Sequence, residues 1–166
     1  MDGRPRVRAD RIILTLSVLV YGCSSGDKTS PGEDSSFAKV QQNGAVVMGV
    51  DQYTSQHVFE SLPDGGRVVL QRKENDPTGE AAIRAHMRTI AEAFRRGDFT
   101  LPGVVHSMKD VPGTSEMRRL STEITYTPRD LPRGGELVIS TRNPAAVAAI
   151  HEFLEFQRRD HHAGMQ

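Results

Sequence analysis

Histidine, methionine and a single cysteine are the side chains here with chemistry to offer beyond packing. His57 and Phe59 lie two apart in a stretch that reads as a strand, so they share a face. His86 flanks the apolar stripe of a helix pattern. His106 and Met108 stand two apart in a segment that reads as extended, and Met48 precedes His57. Imidazole accepts several transition metals and thioether sulfur selects soft ones. His57, His86, His106 and Met108 therefore form a candidate metal site for copper or zinc. Taken singly, each has an ordinary structural account. A strand histidine beside a core phenylalanine is hydrogen-bonded, a helix-edge histidine is half exposed, and Met48 and Met87 pack. His161 and His162 fall in a polar tail, residues 161–166, and read as solvated. No His-x-x-x-His, cysteine pair or carboxylate–histidine array with metal spacing occurs.

Cys23 carries a different chemistry. Arg4, Arg6, Arg8 and Arg11 precede a short apolar run, Ile12 to Val20. That run is too short to span a bilayer, which needs about 20 apolar residues. Its order of charge, apolar run and small residue is that of an export signal. The end, Val20-Tyr21-Gly22-Cys23, resembles a lipobox, with Cys23 as the lipid acceptor and Tyr21 departing from the pattern. Residues 1–22 are expected to be a lipoprotein signal peptide. Lipid on Cys23 also accounts for the lone cysteine, which cannot form an internal disulfide. By the same resemblance, Ser24 after the cysteine points to the outer membrane, facing the periplasm, over the inner one. Residues 23–36 hold no apolar side chain after the cysteine and read as a flexible tether. A single domain is expected over residues 37–160.

Composition removes several functions. Lys plus Arg and Asp plus Glu number 21 each, so no net field draws nucleic acid. No nucleophile elbow, P-loop or dinucleotide fingerprint occurs, and a lipidated Cys23 leaves no free thiol. Asp51 and His57 could form an acid–base pair, but nothing in the spacing brings them together. The chain is read as a non-catalytic binding domain rather than an enzyme. Its partners are the membrane, through the lipid, and an envelope protein. A copper-like metal-binding role is the alternative.

The elements that position these residues come from an internal repeat. Pro63-Asp64-Gly65-Gly66, Asn75-Asp76-Pro77 and Ala81-Ala82-Ile83 recur as Pro132-Arg133-Gly134-Gly135, Arg142-Asn143-Pro144 and Ala148-Ala149-Ile150. The strand segments are offset by 69 residues and the helices by 67. Each copy reads as strand, Gly-Gly turn, strand, and a helix opened by a capping residue and proline. Ile83, Met87, Ile90 and Phe94 make one helical stripe, and Ile150, Phe153, Leu154 and Gln157 the other. Two such ββα units, about 45–98 and 99–160, predict an α+β two-layer sandwich. It has one antiparallel sheet with both helices on one face. Residues 45–50 are expected to add a strand or arm, and Thr114–Leu120 a short helix in the connector. Gln56, Glu60, Arg67 and Gln71 predict a polar outer sheet face.

Five motifs carry a resemblance. They are Met48-Gly49-Val50-Asp51-Gln52, Ser55-Gln56-His57-Val58-Phe59, Ile83-Arg84-Ala85-His86-Met87, Gly97-Asp98-Phe99 with Pro102 and His106, and Ala149-Ile150-His151-Glu152-Phe153-Leu154-Glu155-Phe156-Gln157. Over about residues 45–162 the chain resembles an uncharacterised family of small exported bacterial proteins. That family repeats Met-Gly-Phe-Asp-Gln, Thr-Thr-His-His-Phe and Ala-x-His-x-Phe-Leu-x-Phe-Gln. Val58 replaces the second histidine of its pair. The resemblance implies export and a shared fold, and no activity.

Overall fold

The computed structural model describes residues 31–163. The expected signal peptide, Cys23 and the first part of the expected tether lie outside them. The elements run α1 (Pro31–Met48), β1 (Ser55–Leu62), β2 (Gly65–Arg72), α2 (Pro77–Arg95), α3 (Thr100–His106), α4 (Thr114–Arg119), a 3-10 turn (Ser121–Glu123), β3 (Ile124–Leu131), β4 (Gly134–Thr141) and α5 (Pro144–Asp160).

The four strands form one antiparallel sheet in the order β1-β2-β4-β3. Helices α2 and α5 cover one face of it. The α+β two-layer fold built of two ββα units is therefore the fold of this chain. The helices are exchanged between halves, since α2 lies mainly over β3 and β4 and α5 over β1 and β2. Asp76 caps α2 by accepting from the Gly79 amide at 3.0 Å, and Asn143 caps α5 by accepting from Ala145 at 2.8 Å. Proline follows each cap.

A pseudo-twofold axis runs between β2 and β4. Arg84 of α2 donates to the Leu131 carbonyl at 2.8 Å, and His151 of α5 meets the Leu62 carbonyl at 2.9 Å, so each helix ties down the other half's hairpin. The hairpin turns are Pro63-Asp64 and Pro132-Arg133; the glycine pairs are not the turns but the first residues of β2 and β4. Their bare backbones let the two central strands and the helices close in. A Cβ on Gly65 would collide with the Ile139 carbonyl, and one on Gly134 with the Leu70 carbonyl. One on Gly66 would meet the Leu154 side chain.

The core lies between sheet and helices. Leu70, Leu137, Ile139, Ile124 and Tyr126 come from the strands, and Ile83, Met87, Phe94, Ile150, Phe153 and Leu154 from the helices. The opposite sheet face is polar around a small valine patch of Val58, Val69 and Val138. Glu136, buried there, stands between Arg67 at 3.7 Å and Arg129 at 3.5 Å, and Arg67 also pairs with Glu60.

Two segments differ from the sequence reading. Residues 45–50 are not a strand: they end α1, which starts at Pro31 inside the expected tether. Its holding contacts are specific rather than broadly apolar. Val40 and Gln41 are buried, and the Asn43 amide donates to the carbonyls of Val104 and Val105 at 3.2 and 3.1 Å. Those carbonyls belong to the last turn of α3, where the Ser107 amide reaches back to Val104 at 3.3 Å. His106 closes this helix rather than lying in an extended strand.

Candidate functional site

A cavity of about 80 Å³ lies on the helix side of β1. On that measure it has room for about five water molecules, or one small ring. Four histidines from four elements line it. His57 comes from β1, His86 from α2, His106 from the end of α3, and His161 caps α5. The remaining wall is apolar apart from Gln157 and includes Phe59, Ile90, Leu101 and Val105, with sulfur from Met48 and Met87. Helices α1 and α3 pack together and supply Met48, Leu101, Val105 and His106 to its wall.

Three of the four sequence-predicted metal residues thus share one cavity. Met108 does not. Because α3 ends in a left-handed turn at Ser107, the following residue is turned outward, and Met108 is 40% exposed. His161 is the site residue that the sequence reading misses. Instead of being solvated in a polar tail it is only 5% exposed. Its signal is present, since Leu154, Gln157 and His161 continue the buried stripe of α5 at helical spacing. His162 stacks on Phe37 of α1 with ring centres 4.2 Å apart.

The rings are arranged around His161. Its centre is 5.3 Å from that of His57, 5.1 Å from that of His106 and 5.3 Å from that of Phe59. His106 is anchored on both sides: Nδ1 contacts the Asp160 carboxylate, and Nε2 faces the Gln157 side-chain amide at 3.0 Å. Both ring nitrogens face an oxygen, Asp160 Oδ2 on one side and Gln157 Oε1 on the other, and the two contacts fix the ring's orientation. His57 and His161 are not anchored in this way. His57 Nε2 and His161 Nδ1 are buried without a hydrogen-bond partner among the described residues. A buried polar atom left unmatched costs about 1–3 kcal/mol.

Burial sets the charge state of the site. It lowers the His57 pKa from 6.5 to about 4, with smaller contributions from His86 and Lys73. It lowers His86 to about 4 as well. It lowers His161 well below the usual value, helped by His57, His106 and His162. At neutral pH His57, His86 and His161 are neutral imidazoles, each with one ring lone pair to offer.

Among the described residues, no group of three or more His, Cys, Asp or Glu side chains is placed to hold a metal ion. No helix among them is long and apolar enough to cross a membrane. Comparison with known protein families, with curated proteins and with solved structures finds no match to this chain, so the resemblance drawn from the sequence rests on its motifs alone.

Proposed function

We propose that this chain is a non-catalytic binding domain, held on the cell envelope by lipid at Cys23, that receives a small guest in its histidine-lined cavity. One observation carries the reading. Two neutral imidazoles, His57 and His161, present buried ring nitrogens without partners to a largely apolar space, where Gln157 Nε2 is also unmatched. A guest that satisfies them would offset a cost the protein alone leaves standing. The His106–Asp160 contact resembles half of a catalytic pair. Its other partner is the Gln157 amide, so it holds a ring in place rather than activating a hydroxyl.

Phenol is a suitable probe, because it combines one apolar ring with one O–H donor. It should raise the melting temperature of the full chain by mass action. The gain should vanish in His57→Phe, whose ring enters the same space. A full chain indifferent to phenol, or a gain that survives the substitution, sinks the cavity as a binding site. The address is tested separately. Cys23→Ser should move the protein from the membrane to the soluble fraction, and retention in the membrane would remove the lipid anchor.

A further inference from the structure

The unpartnered nitrogens, the ring spacing and the nearby sulfur together specify a class of guest. Two imidazoles that share one ion at the usual metal–nitrogen distance of about 2 Å put their ring centres roughly 5–6 Å apart. His57 and His161 stand at 5.3 Å. Metal binding needs imidazoles without a proton on the coordinating nitrogen, and burial supplies them. Met48, at the end of α1, brings a thioether to the same wall. Its sulfur has one weak contact, from Gln52 Nε2 at 3.8 Å, so it is not committed elsewhere. Met87 is 2% exposed and lies over Gly135, so it belongs to the core.

We propose that the cavity is a Cu(I) site in which His57 Nε2 and His161 Nδ1 supply two imidazole nitrogens and Met48 Sδ a thioether. This rests on the cavity being a binding site, as argued above. Softness and ligand number select the ion. Thioether favours Cu(I) over harder ions. Structural Zn(II) wants four ligands drawn from Cys, His, Asp and Glu, and the described residues hold no such group. His106 is a positioning residue here: its ring packs across His161 and is itself fixed by Asp160, so it sets where His161 can stand.

The test is Cu(I) supplied anaerobically to the full chain in competition with the coloured chelator bicinchoninate. The chain carries Cys23→Ser, so that a free thiol does not compete, and no histidine tag. One equivalent should be withdrawn from the chelator. His57→Phe and His161→Phe should each weaken uptake tenfold or more, and Met48→Leu should weaken it less. His151→Phe, outside the cavity, should leave uptake unchanged. X-ray absorption of the copper adduct with cavity residues intact should show imidazole and sulfur scattering together, a readout independent of whether any cavity variant folds. Uptake without sulfur in the spectrum, uptake indifferent to both histidine variants, or tighter retention of Zn(II) than of Cu(I) overturns the proposal. No Cu(I) uptake with phenol stabilisation intact overturns copper and leaves the cavity reading standing; loss of both effects overturns both.

Discussion

At the scale of single residues, the cavity makes the protein sensitive to acid in a definite direction. His57 and His86 have folded pKa values of about 4 against 6.5 for the ordinary side chain. Between those values the unfolded chain binds protons that the folded chain refuses. Stability is therefore fully present above pH 6.5 and falls as the pH drops from there toward 4. Every tenfold difference in proton affinity between the two states is worth about 1.4 kcal/mol, so the two groups together should remove a few kcal/mol over that window. Denaturant midpoints measured across it should fall, and should fall less in His86→Phe. A midpoint flat from pH 7 to 4 would mean that these rings already titrate normally. Tyr126 is a second residue-scale case. Its ring is 1% exposed, and its hydroxyl has no hydrogen-bond partner among the described residues. Burial raises its pKa, so the group stays protonated. Removing an unmatched polar atom of this kind is neutral or favourable. Tyr126→Phe should leave the fold intact and stabilise it by up to about 1 kcal/mol in urea titration; a destabilised variant would reveal a partner for the hydroxyl.

At the scale of elements, the two central strands depend on glycine for proximity, not for turn geometry. Gly134→Ala pushes a methyl into the Leu70 carbonyl, where only backbone can move. It should cost about 2–4 kcal/mol. Gly49 has φ of +70° with nothing near its missing Cβ, so Gly49→Ala suffers only the left-handed backbone, about 1 kcal/mol. Equal losses at the two sites, measured by denaturant unfolding, would undo the close-approach account. The same distinction separates what is legible in the sequence from what is not. The repeat, both capped helices and their buried stripes are readable, because each rests on local pattern; the outer sheet face is readable only in part, since Val58, Val69 and Val138 lie among its polar residues. The glycine pairs are ambiguous, because Pro-Asp-Gly-Gly and Pro-Arg-Gly-Gly are consistent with either register of the hairpin. Helix α1 escapes a local reading because its start is polar, and its docking rests on Asn43 bonded to the end of α3, a contact 61 residues away. Strand alternation puts Met108 on the same face as His106, but a helix ends there and reverses it. His161 is hidden because Arg158, Arg159 and Asp160 before it look like a solvated helix end.

At the scale of the whole molecule, the pseudo-twofold axis asks why the histidine cavity lies on one side of it. The strand offset of 69 maps His57 onto Tyr126, and the helix offset of 67 maps His86 onto Phe153 and His161 onto Phe94. The pseudo-twofold therefore sets Tyr126 of β3, Phe153 of α5 and Phe94 of α2 against the histidines of β1, α2 and the end of α5. There Phe94 packs edge-on against Tyr126 at 5.6 Å and against Phe153 at 6.0 Å, ring against ring, and Phe94 and Phe153 also form part of the histidine cavity's wall. The aromatic trio shows that the fold does not need imidazole at these positions. Copying that trio onto the histidine positions, as His57→Tyr, His86→Phe and His161→Phe together, should plug the cavity. The larger rings should occupy its roughly 80 Å³ and remove the unmatched nitrogens, both of which favour the folded state. The triple variant should fold cooperatively, melt at or above the temperature of the unmutated chain, lose the acid sensitivity between pH 6.5 and 4, and take up neither phenol nor Cu(I). Collapse of the fold, or a large loss of stability with the acid sensitivity retained, would mean that the histidines hold the fold together. A stable, acid-insensitive and guest-free variant would mean that the chain gives up packing in order to hold a guest.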